Sequence, residues 1–283
     1  MSNPIVITYD TNPNECSYRF MSTLVNQKWD FKLIGTNKVW KSFLHRAIDY
    51  RDELINIHKI NSNQLCVISD CRDVLCVRIP NKFNDIFESF NTKIVVSGEM
   101  LCAGYTDHRQ VDKETLNKSN CTPIEGFWKS KGYELNNLPK RKYANAGLLC
   151  GYVSDLIEMY SWIIETGVKN GIYDDQILLG KYLNIYPEKI EVDIDAILLH
   201  TSVFGPSAGY MGKYQKYDSP SFAEILGRDA FFIHIPGYSI GKGNKMIYDM
   251  ISLLIDNGFN NEKFIKQYEY DEDLMSTYIY PED

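Results

Sequence analysis

At 283 residues, 44% hydrophobic and 24% charged, the chain has an ordinary globular composition and enough length to bury a sizeable core. A formal net charge of −7 argues against a nucleic-acid partner, whose phosphates call for a basic face, but leaves room for a local cationic pocket. No apolar run approaches the roughly 18 residues of a membrane span. The N-terminus lacks the basic segment and apolar core of a signal peptide. Seven scattered cysteines, with no Cys-x-x-Cys among them, fit a reduced interior better than a disulfide framework or a zinc site. The expectation is a soluble, cytoplasmic protein.

The chain opens with a strand over 5–9, then the turn-rich Asp10-Thr-Asn-Pro-Asn14. Residues 15–28 have helical spacing, with Phe20, Leu24 and Val25 on one side. A second strand covers 29–34. Residues 39–60 are periodic enough for one long helix or a kinked pair. Leu65 to Ile68 is a short unbroken apolar run, the pattern of a strand buried on both faces. A shorter helix over 81–91 and a buried strand over 93–97 follow. Between 104 and 141 the periodicity fades into polar residues, Gly and Pro, and a long loop is expected. Small residues then gather around Asn145 and Gly147 ahead of a strand. A helix over 154–170 has Ser154 as its expected N-cap. Tyr173-Asp174-Asp175-Gln176 opens another helix over 177–183, where acidic residues also complement the helix dipole. Residues 230–234 are a buried strand ending in His234, running into the turn Ile235-Pro-Gly237. Gly241-Lys242-Gly-Asn-Lys245 is a glycine-rich basic loop before a helix over 246–255, a ready phosphate site. Alternating strands and helices predict an α/β fold with a mostly parallel central sheet. No internal repeat or linker divides it, so 1–267 reads as one domain and 268–283 as an acidic tail.

Asp70 and Asp73 end the buried strand at 65–68, where a tight turn brings residues three apart onto one side. Ligands of open α/β sheets bind beyond the carboxyl ends of the strands. Two carboxylates that close are costly unless a cation lies between them, and oxygen ligands suit Mg²⁺ or Mn²⁺, which often also hold phosphate. The alternative is that Asp70 caps the next helix and Asp73 is solvated. A haloacid-type phosphatase fits less well, since its second acid falls two residues on, where Arg72 stands.

Taken in order, Val6-Ile-Thr8-Tyr9, Lys38-Val-Trp40, Ile68-Ser-Asp70-Cys-Arg-Asp73, Tyr143-Ala-Asn145-Ala-Gly147-Leu-Leu-Cys-Gly, Asp174-Asp175-Gln176 and Phe232-Ile-His234 resemble the motifs of one family. The chain is similar to the glycosyltransferase domain of the multifunctional procollagen lysyl hydroxylases and their viral relatives, over residues 4–257. It departs from that pattern after His234, where Ile235-Pro-Gly237 replaces a Gly-Asn-Gly, and near Cys102-Ala103, where an aromatic is missing.

The resemblance implies a single GT-A-like (Rossmann-like) domain. It also implies a metal-dependent transferase moving glucose or galactose from a UDP-sugar to a hydroxyl acceptor, which includes collagen-like hydroxylysine or its glycan. The implied metal ligands for Mn²⁺ or Mg²⁺ are Asp70, Asp73 and His234. Thr8, Tyr9, Trp40, Asp70, Gly237, Lys242 and Lys245 would meet the nucleotide and its phosphates. Asp174, Asp175 and Asn145 would face the sugar or the acceptor. If the chain is viral, the host cytoplasm is the expected compartment. The competing reading is a glycosyltransferase-like fold without turnover, acting as a binding or scaffold protein. Without the resemblance His234 reads as a core histidine, and Trp40 as core no less than as a base platform.

Overall fold

The computed structural model describes residues 2–99, 124–201 and 230–234. Strand β1 (Ile5–Tyr9) leads into helix α1 (Glu15–Asn26), strand β2 (Asp30–Ile34) and the long helix α2 (Phe43–Ile60). Strands β3 (Leu65–Asp70) and β4 (Val74–Cys76) come next, then helix α3 (Phe83–Ser89) and strand β5 (Ile94–Glu99). After helix α4 (Glu125–Ser130) come strand β6 (Tyr143–Tyr152) and helices α5 (Val153–Asn170) and α6 (Asp175–Ile185). Three short strands, β7 (Ile190–Asp193), β8 (Leu199–Thr201) and β9 (Phe232–His234), complete the described chain.

The strands form one sheet in the order β2-β1-β3-β6-β5-β8-β9-β4, with β7 also pairing with β5. Five of these pairings are parallel and three antiparallel, the latter being β3 with β6, β5 with β6 and β4 with β9. The expected α/β class with a mostly parallel sheet is what the chain forms. Because β6 runs against both β3 and β5, those two run the same way, and β8 and β9 follow β5. The carboxyl ends of β1, β3, β5 and β9 therefore open onto one edge, and the start of β6 lies there too.

Alternation along the strands sends one apolar set to each face. Ile7, Ile68 and Val96 join α2, α5 and α6 in one buried cluster. Val6, Val67 and Val95 join Phe20 and Leu24 of α1 and Phe83 and Phe87 of α3 in the other. A sheet covered on both sides explains why β3 reads as an unbroken apolar run.

Several local expectations shift. The long helix begins at Phe43, capped by the Ser42 hydroxyl, which accepts from the His45 N–H, and it is a single element. Ser154 is not an N-cap: α5 starts at Val153 with Tyr152 in the cap position and no side-chain cap bond, because β6 runs straight into the helix. The small-residue segment expected ahead of a strand is itself β6. Of the loop expected over 104–141, only 124–141 is described, and it contains α4. Gly237, Lys242, Lys245, the basic loop, the helix over 246–255 and the acidic tail lie outside the described residues. Cys66, Cys71, Cys76 and Cys150 are buried free thiols, and Cys16 is buried too. Among the described residues no helix is long and apolar enough to cross a membrane.

Candidate metal centre

Asp70 is the last residue of β3, and Asp73 stands just before β4. In the β4–β9 pairing Val74 is opposite His234, so strand register alone brings the imidazole to the two carboxylates. His234 Nε2 lies 3.6 Å from Asp70 Oδ2 and 3.5 Å from Asp73 Oδ1. One ligand atom from each of the three residues falls within 4.8 Å of the others. Two ligands each about 2.1 Å from a small divalent ion stand between about 3 Å and about 4.2 Å apart, so the two nitrogen–oxygen separations suit a shared ion.

His234 is 1% exposed, and neither ring nitrogen makes a hydrogen bond among the described residues. A buried imidazole in that state is costly unless something else occupies its lone pair or proton. Burial pushes its pKa down, but Asp73 and Asp70, with a smaller pull from Glu99, hold it above the ordinary imidazole value. The cluster thus asks for a positive charge at this point, from a proton or from a cation. One nitrogen and carboxylate oxygens form a donor set that Mn²⁺ and Mg²⁺ accept.

The floor of the site comes from β6. Its pairing with β5 jumps from Val96–Leu149 to Ser97–Asn145, a bulge that holds Ala146, Gly147 and Leu148. Bulges often re-aim a strand beside a functional site. Here the bulge lays the Gly147 backbone directly against the Asp70 carboxylate and the His234 ring. Asn145 is buried, donates from Nδ2 to Glu99 Oε2 at 2.9 Å and accepts from the Gly147 N–H at 2.9 Å. Gln176 joins the same knot, accepting from the Ala146 N–H at 3.2 Å.

Two charged residues of the site carry no expectation from sequence. Glu99 ends β5, and burial pushes its carboxyl up to about 7 against the pull of Asn145 and His234. A buried run ending in a carboxylate, as β3 also does, is the pattern that would have found it. Arg46 projects from α2 and is 7% exposed. Its Nη1 donates to Asp70 Oδ1, while Nε and Nη2 donate to Asp175 Oδ2 at 3.2 and 2.8 Å.

The remaining expected residues divide. Asp175 is 5% exposed; burial pushes it up to about 6, even though Arg46 pulls the other way. Asp174 is the N-cap of α6, its Oδ1 accepting from the N–H groups of Gln176 and Ile177 at 2.9 and 3.2 Å. Tyr9 is in register with Asp70 and meets Trp40 edge to face at 6.1 Å. Trp40 is 44% exposed and makes a second T-shaped contact with Phe43 at 5.1 Å. Thr8, by contrast, is fully buried between β2 and β3, and its side chain does not reach the site's surface. Asp70, Asp73, His234, Asp175 and Asn145 are therefore drawn together, with Tyr9 and Trp40 along one side.

No protein-family model matches the chain, and no curated protein matches it. Among solved structures it is similar to a glycosyltransferase involved in the glycosylation of the major capsid of PBCV-1, with a TM-score of 0.49 and 11% identity. The match covers 88% of this chain and 98% of that one.

Proposed function

We propose that the chain is a metal-dependent glycosyltransferase that moves a hexose, glucose or galactose, from a UDP-sugar to a hydroxyl acceptor. The observation that carries this reading is the meeting of Asp70, Asp73 and an otherwise unpartnered, buried His234 at the carboxyl edge of the sheet. An acidic site cannot hold a nucleoside diphosphate without a counter-charge. Asp70, Asp73, Asp174, Asp175 and Glu99 gather here with Arg46 as the described side-chain cation among them, and Arg46 is already engaged. Mn²⁺ or Mg²⁺ on the three ligands would supply that charge and stabilise the diphosphate as it leaves.

The chain's own groups do the rest in this reading. Trp40 offers an exposed ring to a base, beside Tyr9. Asp175, buried and held by Arg46, is the carboxylate best placed to orient or deprotonate an acceptor hydroxyl. Asn145 and Glu99 form a buried polar wall for sugar hydroxyls. Asp174 serves the helix as its cap, and a part in the chemistry would use its remaining oxygen. Gly237, Lys242 and Lys245 keep the phosphate role their sequence suggests. A collagen-like hydroxylysine or its glycan is the acceptor class that the sequence resemblance offers.

The test is UDP release from UDP-glucose and UDP-galactose, with and without Mn²⁺. Metal-dependent release is expected, abolished in Asp73→Ala while the circular dichroism spectrum is unchanged. Folded wild-type protein that binds neither UDP nor Mn²⁺ would overturn the assignment and leave the scaffold reading.

A further inference from the structure

Arg46 stands outside every motif in the sequence, yet it hydrogen-bonds two of the site's carboxylates. A guanidinium is a flat fork with five N–H donors. Three of its donors are spent on two carboxylates from opposite ends of the site. Nη1 takes Asp70 Oδ1, while the other oxygen of that carboxylate, Oδ2, faces His234 at 3.6 Å. Nε and Nη2 together take a single oxygen of Asp175. The fork is pinned in turn, because Cζ sits 4.9 Å from the centre of the Phe43 ring and the residue is buried at the start of α2.

We infer that Arg46 is a positioning residue that fixes Asp70 and Asp175 as one unit. By occupying Oδ1 it leaves Oδ2 as the Asp70 oxygen that faces a cation. By holding Asp175 with its other edge it sets the distance between the cation site and the carboxylate beside it. The inference rests on the proposed function for what that distance does, but not for the geometry itself. Charge alone is not the point. A guanidinium beside a cation site repels the cation, so what Arg46 offers the cation site is the orientation it imposes on Asp70 and Asp175. Partners that orient a metal's ligands change metal affinity or activity by about 10- to 100-fold when lost.

The test uses Arg46→Lys, which keeps the charge while a single ammonium cannot span both carboxylates, and Arg46→Gln as a second variant should the first fold poorly. Mn²⁺ affinity is read by electron paramagnetic resonance of the free ion, and turnover by UDP release at saturating Mn²⁺. Arg46→Lys is expected to weaken Mn²⁺ binding about 10-fold and to lower kcat about 10- to 100-fold, with donor KM within about two-fold. In an Asp175→Asn background the same change should lower kcat no further, since its effect on turnover passes through Asp175. Wild-type Mn²⁺ affinity and kcat in Arg46→Lys would overturn the inference, as would losses that add fully to those of Asp175→Asn. If wild-type protein binds Mn²⁺ but releases no UDP, the proposed function fails while the Mn²⁺ comparison still decides this one. If it binds no Mn²⁺, both fall.

Discussion

Gly147 shows how a single missing side chain shapes the site. No left-handed backbone angle demands glycine there; what demands it is space. A Cβ at this position would sit 2.5 Å from His234 Cε1 and closer still to Asp70 Oδ2. Asp70 is held by Arg46 and His234 by burial, so an added methyl has to move one of the side chains proposed to hold the ion. Overpacking of this kind costs about 1–3 kcal/mol. Gly147→Ala is therefore expected to lower Tm modestly while weakening Mn²⁺ binding about 10-fold or more, checked by thermal melting beside a metal titration. Unchanged Mn²⁺ affinity would mean the site relaxes freely. The need for glycine here was not readable, because it arises from a bulge that only pairing with β5 creates. Arg46 was hidden for a related reason: its partners lie 24 and 129 residues away, and an arginine on an amphipathic helix ordinarily reads as solvated. Asp70 and Asp73 were legible because they end or follow a short apolar run, which is a local feature; His234 was reached only through the resemblance, since alone on an apolar strand it reads as a core histidine.

Among elements, the turn between β3 and β4 matters most, since it carries both carboxylates. It is held from outside by Asp10, which follows β1. Asp10 accepts from Arg72 Nε and Nη2 at 2.7 and 2.6 Å, from the Ser17 hydroxyl of α1 at 2.5 Å, and from the Asn12 N–H at 3.0 Å. Burial alone would push this carboxyl up. The Arg72 and Ser17 bonds outweigh that and hold it below its ordinary value of 3.8. A lowered pKa means the folded state binds the proton less tightly than the unfolded chain. The clamp thus stabilises the protein above the ordinary carboxyl value and loses that effect as pH falls through the folded pKa. Asp10→Asn should cost about 2 kcal/mol at neutral pH. The gap to wild type should narrow as pH falls through 3.8 and then through the folded value below it, followed by urea unfolding at each pH. A pH-independent gap would remove the charge from the account. Strand and helix identities were mostly readable from periodicity. The ends were less so, since the start of α2 and the β6–α5 junction depend on backbone bonds such as the Val153 N–H to the Gln64 carbonyl at 2.9 Å.

Across the whole molecule, the site is a joint between chain segments that meet only after the sheet has formed. Asp70 and Asp73 arrive on β3 and β4, His234 on β9, and the last two strands pair at the far end of the sheet order. A cation bound to all three ties β9 to the centre of the fold, and it has no equivalent site in the unfolded chain. Such a ligand stabilises by mass action, by about 2.7 kcal/mol at a hundred times its Kd. For a chain of this size that corresponds to a rise in Tm of about 5 °C. Wild-type protein should therefore melt higher with saturating Mn²⁺, and a chelator should reverse the shift. His234→Ala should abolish the shift even though Asp70 and Asp73 remain, because two neighbouring acids on one turn cannot join β9 to the rest. A full Mn²⁺ shift in His234→Ala would show that the ion sits on the acids alone, and would separate the imidazole from the centre.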